Sequence, residues 1–273
     1  MTVDRQNRID RLFADRSRKR FIPFLTVGDP TIEATFQIVK ALVEAGSDII
    51  EFGIPYSDPL ADGPTIQQAS LRALRNHITI CDALQLVRRL RETGVEAGLV
   101  LFSYVNPVMQ YGVERFFADL ADAGADGAVI PDLPVEESGP AVEAARRHGV
   151  HVISLVAPTS EARIKMIGEQ AAGFLYCVSS LGVTGARSEL RDDLADFLQR
   201  VKASTKAPTA VGFGISTPEQ VRSVAPHTDA VIVGSAIVRE IEKHEAQLKD
   251  PAQIGWAVEK IKTFVQALTS ALQ

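Results

Sequence analysis

Eight short apolar runs recur along this chain, and each is followed by a segment with helical spacing. They extend from RFIPFLTVGDP (20–30) to HTDAVIVGS (227–235). Their continuous Val, Ile, Leu and Phe content, without polar alternation, is typical of parallel strands that are covered on both faces. Eight alternating strand and helix units in about 250 residues predict an α/β fold, a single (β/α)8 TIM-barrel domain over residues 1–273.

Two further helices flank the eight units. The spacing of Ile9, Leu12 and Phe13 predicts a short extra helix at the N-terminus, and Pro251–Leu272 predicts a C-terminal helix. Between the second and third strands we expect one long helical segment, Ile66–Thr93. An open doubly wound sheet is the main alternative, but no GxGxxG follows the first strand, and eight near-equal units favour closure.

The composition argues against several classes of function. A hydrophobic fraction of 46% supports one large core, and a net charge of −5 with interspersed acids and bases indicates neither nucleic-acid nor membrane binding. No apolar run approaches the ~20 residues that span a bilayer. Cys81 and Cys177 are too few for a disulfide framework and fit a reducing, cytoplasmic location. No histidine lies at the catalytic rim or beside another ligand, so we expect no metal.

A carboxylate interrupts the second apolar run, in DIIEFGIPYSDPLADGP (48–64). In a TIM barrel, reactive groups are expected at the C-terminal ends of the strands and in the loops that follow. Glu51 lies at such an end and faces the interior, where lost hydration raises the pKa of a carboxyl toward neutrality. It can then donate and accept a proton near pH 7. Asp62 in the following loop and Tyr176 in the sixth strand are further candidates.

Glycine-bearing loops follow three consecutive strands. LGVTGAR (181–187) follows the sixth strand, VGFGIS (211–216) the seventh, and VGSAIV (233–238) turns from the eighth strand directly into a helix. Glycine lets backbone N–H groups approach an anion, and a helix N-terminus favours negative charge. One such loop is weak evidence, because glycine is common at sharp turns. Three of them predict a phosphate site, to which Ser235 adds a hydroxyl donor.

The remaining strand ends narrow the chemistry. Asp29 is expected to cap a helix and Asn106 to form a turn. There is no strand-end lysine, metal cluster or nucleophile beside a histidine. The rim instead offers apolar side chains, including Phe21, Phe102 and Ile153. These features predict proton-transfer chemistry on a phosphorylated substrate that has an apolar part.

Four motifs, EFGIPYSDPLADGPTIQ, GVTG, GFGIS and GSAIV, resemble the tryptophan synthase alpha chain family. The resemblance extends from PFLTVGDP at the first strand to the helix after GSAIV. It implies a lyase of tryptophan biosynthesis that cleaves indole-3-glycerol phosphate to indole and glyceraldehyde 3-phosphate by a retro-aldol reaction. Protonation of indole C3 would make the ring an electron sink, so the chain itself would need no cofactor.

The resemblance also implies roles for individual residues. Glu51 would shuttle protons at C3 and the adjacent hydroxyl, Asp62 would accept from the indole N–H, and Tyr176 would position the reacting centre. Residues matching the phosphate site are Gly185, Gly214, Gly234 and Ser235, and those matching the indole pocket are Phe21, Phe102 and Val129. Ser180 stands where some relatives carry arginine, which leaves any loop-anchoring salt bridge there open.

A partner is implied as well. The family's alpha chains bind a beta chain, which holds pyridoxal phosphate, in an αββα heterotetramer. Pro55, Asp58 and Pro59 are expected to form a stiff, exposed loop that meets the beta chain, and Thr184 to lie in a mobile lid. Three alternatives stay open: a stand-alone lyase that releases free indole, an isomerase of a phosphorylated sugar that uses Glu51 as base, and a non-catalytic activator.

Overall fold

The strands form one parallel sheet that closes into a cylinder in the computed structural model, which describes residues 7–178, 192–212 and 214–272. Its strands are β1 (Arg20–Thr26), β2 (Ile49–Gly53), β3 (Gly98–Phe102), β4 (Gly127–Val129), β5 (His151–Ile153), β6 (Leu155–Val156), β7 (Leu175–Val178), β8 (Thr209–Gly212) and β9 (Ala230–Val233). Neighbours follow the order β5-β4-β3-β2-β1-β9-β8-β7-β6. Only Ser154 separates β5 from β6, and its carbonyl accepts a hydrogen bond of 2.9 Å from the Tyr176 N–H. Together β5 and β6 therefore supply the fifth of eight barrel strands, and the predicted TIM barrel is confirmed.

Helices surround the cylinder. In the described part of the chain they are α1 (Arg8–Ala14), α2 (Ile32–Glu44), α3 (Pro64–Arg75), α4 (Ile80–Glu92), α5 (Val105–Tyr111), α6 (Val113–Ala123), α7 (Gly139–Arg147), α8 (Ile164–Gln170), α9 (Asp192–Ser204), α10 (Pro218–Val224), α11 (Ser235–Lys243), α12 (Glu245–Leu248) and α13 (Ile254–Thr269). Short 3₁₀ turns cover Pro158–Arg163, Ala225–His227 and Ser270–Leu272. None of these helices combines the length and the apolar character that crossing a bilayer requires.

The sheet separates two apolar clusters. Alternate strand residues point in opposite directions, so Ile22 and Phe24 of β1 face the barrel interior while Phe21 and Leu25 pack under the helices. Both sets are buried. Because each strand buries both of its faces, the strands read as continuous apolar runs in the sequence.

The two flanking helices are present as predicted. Ile9 and Phe13 of α1 are buried in the interior cluster at the N-terminal end of the barrel. At the other end of the chain, α13 packs against α2. There the Lys262 ammonium lies 2.7 Å from the Glu44 carboxylate.

Three local predictions were wrong. The segment 66–93 is two helices, because His77 adopts a positive φ of 56° and Thr79 starts α4 with a capping box. Asn106 lies inside the unanticipated helix α5. Thr31 caps α2, whereas Asp29 is buried and accepts hydrogen bonds from an arginine.

Candidate active site

The carboxyl ends of the strands surround a cavity of about 310 Å³ that brings most of the predicted site residues together. Its lining includes seven of them: Glu51, Asp62, Phe102, Tyr176, Gly214, Gly234 and Ser235. Phe102 forms part of its wall. Residues from five strand ends, far apart in the sequence, therefore converge on one space.

Glu51 is the most unusual group in the cavity. Strand β2 aligns it with Phe24 of β1 on one side and Val100 of β3 on the other. Only 2% of its surface is exposed, and neither carboxyl oxygen has a hydrogen-bond partner among the described residues. Burial, and secondly the charge of Asp62, raises the pKa of Glu51 to about 8.

Asp62 lies in a turn in which its N–H donates to the Pro59 carbonyl over 3.0 Å. Its Oδ2 accepts a hydrogen bond of 3.1 Å from the Tyr104 hydroxyl, which in turn accepts from the Ala61 N–H over 3.0 Å. Burial raises the pKa of Asp62 to about 6, and the hydrogen bond from Tyr104 opposes that rise. Between pH 6 and 8 the cavity therefore holds one protonated and one ionised carboxyl.

Two tyrosines adjoin these acids. Tyr176 is buried, and burial together with the charges of Glu51 and Asp62 raises the pKa of its phenol well above the ordinary value, so it stays neutral. Tyr104 was not predicted as a site residue. The available signal was its position two residues after Phe102, which places both side chains in the same interior cluster.

Several residues predicted to bind phosphate line the cavity. Gly234 precedes α11, and Ser235 is the first residue of that helix. Both line the cavity, so the free N–H groups at the start of α11 border it. Gly214 and Ser216 line the same cavity from the loop after β8, and Gly214 has a positive φ of 79°. Gly185 and Thr184 lie outside the described residues, as does Ser180.

The apolar wall differs from the prediction at two positions. Phe21 is fully buried under the helices and does not line the cavity, because its side chain points away from the barrel interior. Phe24 lines it instead, with its ring edge-on to Phe102 at 5.7 Å. Val129 is buried beside Phe102 in the interior cluster but is not a lining residue. Phe102 and Ile153 border a second, mostly apolar cavity of about 490 Å³.

The loop between the two carboxylates also differs in exposure. Asp58 is exposed as predicted, but Pro55 is buried and Pro59 is half-buried. Pro55 follows β2 too closely to leave the barrel rim. The side chain of Leu60, which was not predicted, is 92% exposed.

Metal-ligating side chains do not cluster in the described ranges, where no group of three or more His, Cys, Asp or Glu could hold an ion. Among the described lining residues the charged groups are Glu51, Asp62 and Arg239. The site therefore offers two carboxyls with separated pKa values, N–H donors and apolar surface.

Comparison with known proteins gives one family. The family model described as tryptophan synthase alpha chain matches residues 12–271. The tryptophan synthase alpha chain of Geobacillus kaustophilus is 51% identical over 253 residues, covering 93% of this chain and 94% of the relative. A crystal structure of tryptophan synthase subunit alpha from Legionella pneumophila has a TM-score of 0.87 and 38% identity, covering 97% of this chain and 98% of that chain. A chain from the tryptophan synthase a2b2 complex of Pyrococcus furiosus has a TM-score of 0.84 and 37% identity, and the match covers 93% of this chain and 98% of that chain.

Proposed function

This chain belongs to the tryptophan synthase alpha chain family, and we propose that Glu51 and Asp62 are the acid–base pair of its reaction. The alpha subunit cleaves indole-3-glycerol phosphate to indole and glyceraldehyde 3-phosphate, a carbon–carbon lyase reaction of tryptophan biosynthesis. The observation that carries the proposal is the buried carboxyl of Glu51, which has no hydrogen-bond partner in the described structure and shares a cavity with Asp62.

Glu51 starts the reaction as an acid. With a pKa of about 8 it is mostly protonated at neutral pH and can donate its proton to indole C3. The ring then carries a positive charge at nitrogen, and the ionised Asp62 carboxylate accepts a hydrogen bond from the ring N–H. Because Asp62 is partly buried, that interaction is stronger than it would be in solution.

Glu51 then acts as a base. Its carboxylate takes the proton of the side-chain hydroxyl next to C3 while the carbon–carbon bond breaks. The electrons of that bond return to the ring, which leaves as indole, and the hydroxyl carbon becomes the aldehyde of glyceraldehyde 3-phosphate. Glu51 is protonated again at the end, so the cycle needs no cofactor in this chain.

The rest of the site binds the two ends of the substrate. Gly214, Gly234 and Ser235 are proposed to hold the phosphate with N–H and hydroxyl donors, together with Gly185, and the helix dipole of α11 favours its charge. Phe102 and Phe24 offer the apolar surface for indole. Tyr176 is proposed as a positioning residue, since its neutral phenol adjoins both acids.

Glu51→Gln tests the catalytic proposal. It keeps the size of the side chain but removes the transferable proton, so turnover of indole-3-glycerol phosphate should fall by at least ~10²–10⁴. Glu259→Gln, an exposed change on α13, should leave turnover unchanged. Equal activity of Glu51→Gln and wild type would contradict the proposal, and turnover of a phosphorylated sugar instead would favour the isomerase.

We further propose that the chain is one domain, acts in the cytoplasm and binds a pyridoxal-phosphate-dependent beta chain in an αββα complex. The a2b2 assembly of the Pyrococcus furiosus relative supports the partner. The exposed Asp58 and Leu60 lie with Asp62 in the loop between β2 and α3 (54–63), which we call the catalytic loop, so a protein bound there would contact it. Size-exclusion chromatography with the beta chain separates this proposal from a stand-alone lyase.

A further inference from the structure

Arg239 is a basic residue that lines the active-site cavity. Among the described residues that line this cavity, there is no lysine or histidine and no second arginine. The other charged groups of the lining are the carboxyls of Glu51 and Asp62. Among the described lining residues, Arg239 is therefore the positive charge available to a dianionic substrate.

The position of Arg239 on α11 directs it toward the phosphate site. It lies four residues after Ser235, so the two side chains share one face of the helix. Helical side chains lean toward the N-terminus of their helix. The long side chain of Arg239 therefore lies over the helix turn whose free N–H groups, with Gly234, border the cavity.

Arg239 also has no competing acidic partner in the described part of the chain. On the same helix, Glu240 pairs with Lys243 at 2.7 Å, and Glu242 pairs with Arg72 at 2.8 Å. Within the described ranges no carboxylate lies within ion-pair distance of the Arg239 guanidinium. Its side chain is exposed, so orienting it toward a ligand does not cost a buried contact.

We propose that Arg239 binds the substrate phosphate directly, as a residue that selects phosphorylated over unphosphorylated substrates. This inference rests on the proposed function. A phosphate carries about −1.5 to −2 charges at pH 7, and the N–H and hydroxyl donors of the site are neutral. A guanidinium adds charge-assisted hydrogen bonds that match phosphate oxygens in geometry. It also offsets the negative charge of Asp62.

The reverse reaction tests this proposal, because it supplies the two halves of the substrate separately. In the full-length chain, Arg239→Gln should raise the KM for glyceraldehyde 3-phosphate about 10-fold, as expected for a lost charge-assisted contact. The KM for indole should stay within about twofold, since indole carries no charge. Inhibition by inorganic phosphate should weaken in parallel, and Arg239→Lys should recover part of both effects.

Lys243→Gln is the matched control, since it removes one positive charge from the same helix without touching the cavity. It should leave all of these constants unchanged. The inference is wrong if Arg239→Gln keeps the wild-type KM for glyceraldehyde 3-phosphate, raises both KM values equally, or matches Lys243→Gln. If the wild-type chain does not interconvert these compounds at all, the proposed function fails instead. Circular dichroism melting checks that each variant is folded.

Discussion

Glu51 occupies a position where an apolar side chain would stabilise the barrel more. Its carboxyl is buried and its oxygens make no hydrogen bond to described residues, which is costly for a polar group. The same isolation raises the pKa of Glu51 to about 8. At the residue scale, burial of the Glu51 carboxyl therefore destabilises the fold but keeps its proton bound, and so available for transfer, at neutral pH.

The two acids predict a bell-shaped dependence of kcat/KM on pH. Activity should fall below pH 6 as Asp62 gains a proton, and above pH 8 as Glu51 loses the proton that we propose it donates. Initial rates between pH 5 and 9.5 check this. The substrate phosphate also titrates near pH 6, so the alkaline limb is the diagnostic one. Activity that stays constant from pH 7 to 9.5 would contradict the role of Glu51.

Glu51 should also make the folded state less stable at high pH. Its pKa in the folded state, about 8, is above the ordinary value of 4.5, so the unfolded state releases this proton first. The free energy of unfolding therefore falls as the pH rises from 4.5 to 8 and changes little from this source above 8. Glu51→Gln lacks the effect.

Thermal melts of Glu51→Gln and wild type at several pH values measure the difference. The variant should gain several degrees over wild type between pH 5 and 8, because about 1 kcal/mol corresponds to roughly 2–4 °C in a chain of this size. A difference in melting temperature that does not vary with pH would show that Glu51 is not the titrating group.

Tyr104→Phe should weaken catalysis through Asp62. Loss of the 3.1 Å hydrogen bond removes the contact that holds the pKa of Asp62 down, so that pKa should rise. The acid limb of the pH profile should then shift to higher pH, and activity near pH 6 should drop by up to about 10-fold. Tyr111→Phe removes a similar hydroxyl contact to Asp119, remote from the cavity, and should not move the limb.

At the scale of elements, one arginine joins three segments of the rim. Arg72 of α3 donates two hydrogen bonds of 2.8 Å to the buried Asp29 in the loop after β1. A third, also of 2.8 Å, reaches Glu242 of α11. Helix α3 begins at Pro64, two residues after Asp62, and α11 begins at Ser235. The hydrogen bonds of Arg72 therefore fix α3, beside the proposed catalytic acid, relative to α11 at the proposed phosphate site.

Arg72→Gln should destabilise the fold by about 3–5 kcal/mol, because it leaves the Asp29 carboxylate buried without its partner. Urea unfolding measures the loss. Arg88→Gln removes an exposed pair with Asp122 and should cost at most about 1 kcal/mol. If the two variants lose the same small amount, the Arg72 pair does not contribute as described.

The sequence predicted strands and helices well where burial produces a clear apolar pattern. It predicted them less well where the conformation of a single residue sets a helix boundary. The strands were found because both of their faces are covered. The break between α3 and α4 depends on the positive φ of His77, which carried no recognised signal. In β1 every residue from position 21 to 25 is apolar, so the sequence does not distinguish Phe21 from Phe24 as the inward ring. Tyr104 was missed because its role depends on a contact with a distant loop.

At the scale of the whole molecule, we expect the proposed beta-chain partner to increase the activity of this chain. Leu60 exposes 92% of its surface beside the catalytic loop. Leu60→Asp should therefore weaken binding of the beta chain and reduce the activation that the beta chain gives to indole-3-glycerol phosphate cleavage. Titration calorimetry and rates with and without the beta chain measure both effects.

Leu71→Asp provides a comparison outside the catalytic loop. Leu71 lies on α3 and is 46% exposed. It should bind the beta chain as wild type does. Equal binding by wild type and Leu60→Asp would exclude this loop from the interface. An isolated chain that turns over as fast as the complex would rule out activation by the partner.

Helix α1 closes the N-terminal end of the barrel. Ile9 and Phe13 insert beneath the cylinder, and the interior above them is filled with packed side chains. We therefore expect reactants and products to pass through the opposite opening, near Asp62 and the start of α11. A protein that covers that opening would also control when indole leaves.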